Sequence, residues 1–230
     1  MSKVKNYFSR SEIILWSVSV IAIIVSFCTF DRTNYMTLIA SLIGVTSLIF
    51  CAKGNPFGQV LIIVFSLLYG GISYTFSYYG EMVTYLGMTL PMAVFALISW
   101  LKNPHNGNKS EVQINNISKK EVLCIVVITL IITIPFYFIL KHFHTANLIP
   151  STISVTTSFF AASLTFRRSP FFALAYAAND VVLIVLWVMA SRYDIRYSSV
   201  VVCFVAFLLN DIYGFLNWQR MKYRQQECVG

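Results

Sequence analysis

The amino-acid sequence predicts an all-α, polytopic membrane protein with eight transmembrane helices. Three observations carry this. Hydrophobic residues make up 57% of the 230-residue chain and charged residues only 11%, with a mean hydropathy of +0.71, whereas soluble domains are about 25% charged. Apolar windows of about 20 residues, the length at which a helix crosses the hydrocarbon core, recur from end to end. The basic residues gather at the edges of alternate windows, where they set orientation. No room is left for a soluble domain.

The expected spans are 12–30, 35–52, 57–79, 82–101, 121–141, 147–166, 170–191 and 198–219. The first follows Lys3, Lys5 and Arg10 as a signal peptide would. It lacks a small-residue cleavage site and more spans follow at once, so it reads as a transmembrane helix. Lys53, the Lys102–Lys120 group, Arg167 with Arg168, and Arg220 with Lys222 and Arg224 all fall on the side of the N-terminus if the count is eight. The opposite side, with Asp31, Glu81 and Asp194 among its charges, has little positive excess. The positive-inside rule therefore puts both termini in the cytoplasm. An odd count scatters the bases. The net charge of +8 is thus a topological signal and implies no nucleic-acid partner. The segment from Asn103 to Lys120 is the one substantial loop, polar and expected to be loosely ordered.

The two halves resemble each other. Lys53-Gly54-Asn55-Pro56-Phe57 matches Arg167-Arg168-Ser169-Pro170-Phe171 at an offset of 114 positions, and Ala96–Lys102 matches Gly214–Arg220 at 118. Each first motif is a turn with Pro at the start of the next helix, where it is well tolerated. Each second motif ends a span with Trp and a base. Spans two to four (35–101) pair with spans six to eight (147–219) as two parallel three-helix units. Span five (121–141) links them, and span one (12–30) is extra. Carriers built this way hold substrate near the midplane, between the repeats.

Polar residues inside the spans point to that site. An Asp at the centre of an inserted helix costs about 2.5–3.5 kcal/mol, yet span seven carries Asn179-Asp180 and span eight Asn210-Asp211 near their middles. Tyr176 and Trp187 share the stripe of Asn179 and Asp180. Tyr213 stands one turn beyond Asn210, and Gln59 opens a stripe on span three with Ser66, Gly70 and Ser73. Asn179 and Asn210, taken singly, fit interhelical glue, at about 0.6–2 kcal/mol per contact, and ligand binding equally well. Acids are poor glue, so Asp180 and Asp211 together favour function. Trp218, beside Arg220, reads as a membrane-interface anchor. Pro91 predicts a kink in span four. Aromatic rings with carboxylates and amides suit a small, partly aromatic, cationic ligand.

The five cysteines (Cys28, Cys51, Cys124, Cys203 and Cys228) show no metal-ligand spacing and imply neither a disulfide framework nor a cofactor. No Gly-x-Ser-x-Gly or His-Glu-x-x-His is present, which leaves an intramembrane aspartyl dyad as the enzymatic alternative. A proton-coupled carrier titrating Asp180 and Asp211 is a second alternative.

Tyr79-Gly80-Glu81-Met82, Thr89-Leu90-Pro91 through Lys102, Arg167–Pro170, Asn179–Trp187 and Asn210–Trp218 resemble the PnuC vitamin transporters, over nearly the whole chain. The resemblance implies a SWEET-like fold, a homotrimer in the bacterial inner membrane, and facilitated diffusion of nicotinamide riboside trapped by a cytoplasmic kinase. On that reading Asn179, Asn210 and Asp211 bind the ribose or amide, Tyr176, Trp187 and Tyr213 flank the ring, and Asp180 helps balance its charge. One departure bears on substrate. Members of the family often carry Trp-x-x-Trp-x-x-x-Asn in this helix, but here Phe172 and Ala175 precede Asn179. Thiamine, and less well riboflavin, remain alternatives.

Overall fold

Helix ends follow from the residues that flank each apolar run. In the computed structural model, which describes residues 7–75, 79–145 and 147–227, α1 (Arg10–Phe30) starts at a capping box. Ser9 Oγ accepts from the Glu12 N–H and the Glu12 carboxylate accepts from the Ser9 N–H. Asn34 caps α2 (Tyr35–Ala52), and α3 (Phe57–Thr75) follows. The next span has three parts: α4 (Tyr79–Thr84), a π turn (Tyr85–Thr89) and α5 (Leu90–Lys102). Pro91 has no N–H to donate, and the wider turn before it absorbs the mismatch, with the Leu90 N–H reaching Tyr85 O. The expected Pro91 kink therefore takes the form of a π bulge. A second capping box, Ser118 with Glu121, opens α6 (Lys119–His142). Then come α7 (Leu148–Phe166), α8 (Phe172–Ser191), a 3₁₀ turn (Ile195–Tyr197) and α9 (Ser198–Glu227).

With α4 and α5 joined, eight helices are long and apolar enough to cross a membrane, as the sequence predicts. Residues 76–78, where the expected third span ends, lie outside the described residues. Two expectations fail. Segment 103–120 is not loose: it folds as a hairpin, β1 (Pro104–His105) with β2 (Asn108–Val112). Asn106-Gly107 makes its turn, at φ 47° and 75°. The last helix does not stop at 219 either. Its added turns are held by Gln225, whose amide donates to Glu111 Oε1 and Val112 O while its oxygen accepts the Ile114 N–H. Hairpin and helix end thus order each other.

The sequence repeat reappears as hydrogen bonds. In the first turn, the Gly54 N–H donates to Cys51 O and the Asn55 N–H to Phe50 O; in the second, the Arg168 N–H donates to Thr165 O and the Ser169 N–H to Leu164 O. Asn55 Oδ1 accepts from the Phe57 N–H, and Ser169 Oγ from the Phe171 N–H. The tryptophans then cross over. Trp100 Nε1–H donates to Thr165 O at 2.9 Å, and Trp218 Nε1–H donates to Cys51 O at 2.8 Å. Residues of each segment thus cap a helix end of the other.

The Trp218 expectation is corrected here. Trp100 and Trp218 are both 0% exposed, with ring centroids 5.4 Å apart. They form, with Phe172, Leu164, Met221 and Val112, a core cluster near the end of the bundle that carries the termini. A buried indole N–H needs an acceptor, and the two helix-end carbonyls provide it. The hairpin strand adds a second layer: the Val112 N–H donates to Gly54 O and the Asn115 N–H to Arg168 O.

Candidate functional site

α8 and α9 pack along each other and bring their acids to one level. Asp180 and Asp211 are 4% and 5% exposed, and their carboxyl groups lie within hydrogen-bond reach of one another. Asp180 Oδ2 has no partner. Among the described residues the ion pairs are Glu12–Lys53, Glu121–Arg167, Asp194–Arg196 and Glu111–Arg224, so no base neutralises either acid. Isolated buried charge is strongly disfavoured. The pair is therefore a place where a cation would gain from charge.

Both acids line a cavity of ≈ 170 Å³. Six of the eight expected site residues meet there: Gln59, Tyr176, Asn179, Asp180, Trp187 and Asp211. Asn179 Oδ1 accepts from Ser154 Oγ at 3.2 Å and from Thr157 Oγ1 at 2.8 Å, both on α7. Its carboxamide is thus held in one orientation. Gln59 Nε2 donates to Cys51 Sγ at 3.4 Å, at the floor of the cavity.

The other two expected residues turn away. Asn210 Nδ2 donates to Ser19 Oγ on α1 at 2.9 Å and to Ala206 O. Tyr213 OH donates to Glu12 Oε1 at 3.1 Å. Neither lines the cavity. The reason is α1. Buried Glu12 collects Lys53, Tyr213 and its own N-cap, and a helix seated there takes the polar groups on one side of α9. Asp211, one residue on from Asn210, faces the other side. Stripe arithmetic on α9 alone does not tell which neighbour each side meets.

Sequence reading missed Glu81, Phe65, Tyr85 and Phe207, which also line the cavity. Tyr85 arrives through the π turn, which faces α3 where Gly70 leaves space: a Cβ there would lie 2.5 Å from Leu86 Cδ2. Small residues commonly allow such close approach in membrane bundles. The Pro91 signal pointed to this turn, but not to the rings it delivers.

A second cavity, ≈ 290 Å³, opens on the face opposite the termini. Asp31, Asn34, Asp194, Arg196 and Tyr197 stand in its walls. Arg196, through its guanidinium and its backbone N–H, holds the Asp194 carboxyl below the usual range, so that rim stays ionised. Asp31 accepts from the Thr33 and Asn34 N–H groups. Among the described residues, only Glu81 and Trp187 belong to the walls of both cavities.

Known proteins share this frame. The nicotinamide riboside transporter PnuC of Neisseria mucosa is 23% identical over 214 residues, covering 91% of this chain and 81% of its own. The transporter of the same name from Haemophilus influenzae is 22% identical, covering 83% and 82%. A crystal structure of the vitamin B3 transporter PnuC superposes with a TM-score of 0.81, at 22% identity, over 95% of this chain and 94% of that one. The family model described as nicotinamide mononucleotide transporter matches residues 34–220, so this chain belongs to that family of membrane transporters.

Proposed function

We propose that the chain lets nicotinamide riboside cross a bacterial inner membrane down its gradient. The observation that supports this best is the acid pair with no ion-pair partner among the described residues, buried beside aromatic rings and an oriented carboxamide in one cavity. The pyridinium ring of this nucleoside bears a permanent positive charge. Asp180 and Asp211 offer the opposite charge at a depth where water offers little. Tyr176 and Trp187 present ring faces, which attract cations as well as stacking on planar rings. Asn179 and Gln59 supply amides to the ribose hydroxyls and the ring carboxamide. Downhill entry becomes accumulation once a cytoplasmic kinase phosphorylates the nucleoside, because the added negative charge no longer suits an acidic site.

On this reading both termini are cytoplasmic, as the distribution of bases supports, and the protein works as a homotrimer, as the resemblance implies. The segments 35–101 and 147–219 act as two units that part around the cavity. Purified protein in liposomes equilibrates labelled nicotinamide riboside without an ion gradient. Uphill uptake driven by a pH gradient would instead establish proton coupling.

Thiamine is the second reading, because its thiazolium is also a permanent cation. Phe172 favours it. That ring packs edge-on to Trp100 and Trp218 in the closed end, so it braces the floor where relatives often place a tryptophan. Uptake of thiamine in place of nicotinamide riboside, measured side by side, would transfer the assignment to it.

A further inference from the structure

We propose that Glu81 and Trp187 form a second, outer binding step for the cationic ring, which the ligand occupies before it reaches the acid pair. The inference rests on the reading of the cavity as a route for a cationic vitamin. It adds Glu81 to the groups that meet the cation, where the two cavities share their walls.

The argument begins with position. Glu81 lies in the first turn of the α4 span, and Trp187 lies four residues before the end of α8. They are the residues common to both cavities, so a molecule passing from the outer cavity to the inner one passes between them. Glu81 has a hydroxyl donor, Ser73 Oγ at 3.5 Å, and is in no ion pair among the described residues. Trp187 packs against Tyr197 at a centroid distance of 5.3 Å, which supports its indole from the outer side. A carboxylate and an indole in the walls of one passage suit a planar organic cation: the acid supplies charge, and the ring supplies a face rich in electron density.

The second observation lies deeper. Asp180 Oδ2 is buried, unpartnered and part of the inner cavity wall. A cation drawn in from water also meets the apolar side chains of Phe65, Leu183 and Phe207 in the wall it shares with this acid. Charge in such a passage is costly. An intermediate acid divides that cost. The route then has stations at Glu81 and at Asp180–Asp211. A neutral ligand of the same shape gains nothing from the first of them.

That difference supplies the test. Nicotinamide riboside and its reduced dihydro form have nearly the same shape, but only the first is charged. Initial uptake of each is measured in liposomes containing the full-length protein, wild type or Glu81→Gln. The variant is expected to slow the cation about tenfold, in the range found for electrostatic guidance of ligands, and to leave the dihydro form within about twofold. Equilibrium affinity for the cation, read by calorimetry, stays within about threefold because Asp180 and Asp211 are untouched. Glu81→Asp restores most of the rate. Equal slowing of both forms, or no slowing of the cation, overturns the proposal. If Glu81→Gln does not fold, Trp187→Phe replaces it. Phe is a weaker cation binder than Trp, so the cation is slowed more than the dihydro form, and equal effects again overturn the proposal. Wild-type protein that moves neither form removes the nicotinamide riboside reading itself, a result separate from normal transport that is indifferent to Glu81.

Discussion

The segments 35–101 and 147–219 are alike at one end and unlike in the middle. At the end near the termini they share a turn, a capped following helix and a tryptophan bonded into the other segment. In the middle only the second carries acids. At the 118-position offset, Met92 and Ala93 stand opposite Asn210 and Asp211. The first segment instead has the π turn and Pro91. Symmetry therefore belongs to closure, where two equivalent halves must fit each other. Asymmetry belongs to the cavity, whose acid pair comes from one segment alone.

The largest expected effect comes from removing the asymmetric charge. Asp211→Asn keeps size and hydrogen-bonding capacity but takes away one of the two acids facing the cavity. Loss of a buried charge partner costs about 2–5 kcal/mol of binding, so affinity for the cationic vitamin should fall by at least about 30-fold in calorimetry. The dihydro form should lose far less. Thermal unfolding in detergent should move the other way, to higher temperature, because an uncompensated buried acid is no longer present. Activity and stability often trade in this manner at functional sites. Unchanged affinity would place the charge-binding step elsewhere and break the distinction between the segments.

The symmetric end should respond symmetrically. Trp100→Phe and Trp218→Phe each remove one indole N–H and some buried volume, at about 1–2 kcal/mol for the hydrogen bond. The two losses should agree within about 0.5 kcal/mol, and the double variant should deviate from their sum because the rings touch. Chemical denaturation of the detergent-solubilised protein reads this. A marked inequality would show that the closed end is not shared evenly.

Much of this was legible in the sequence. Eight spans follow from hydropathy, the two matching turns from the paired motifs, and a shared cavity wall for six of the eight expected residues from the cost of acids at depth. What escaped was decided by neighbours distant in sequence. Trp218 reads as an interface anchor until the carbonyl of Cys51 is found beside it. Segment 103–120 reads as loose until Gly54, Arg168 and Gln225 accept or donate its backbone bonds. Asn210 and Tyr213 read as ligand groups until α1 claims them. Polar side chains announce that a partner exists, but helix periodicity does not identify the partner.

Those two residues give a smaller effect and a clear separation. Asn210→Ala deletes the bond to Ser19, and Tyr213→Phe the bond to Glu12. Each should lower stability by about 1 kcal/mol and leave vitamin affinity within about twofold. Calorimetry and thermal unfolding of the same preparations check both halves of the statement. A large loss of affinity in either variant would return that residue to the ligand.

The equivalent turns can be compared directly, with one substitution in each. Gly54 sits at φ 66° and Arg168 at φ 57°, so the second segment holds a side chain where the first has none. An L-residue in this left-handed region costs about 1–2 kcal/mol, and glycine costs about 0.5–1 kcal/mol through its freer unfolded chain. Arg168→Gly should therefore stabilise the protein slightly, by about 0.5 kcal/mol. Burial, and then the neighbouring Arg167, already lower the Arg168 pKa, and its Nε lacks a partner, so little is lost with the side chain. Gly54→Ala runs the other way. A Cβ there meets Met221 Cε at 2.9 Å as well as the unfavourable φ, for a loss of about 1–2 kcal/mol. Opposite signs at two positions 114 residues apart would establish that the turns are one structure built twice, with the strain tolerated in only one of them. Equal signs would mean that the turns differ in more than their side chains.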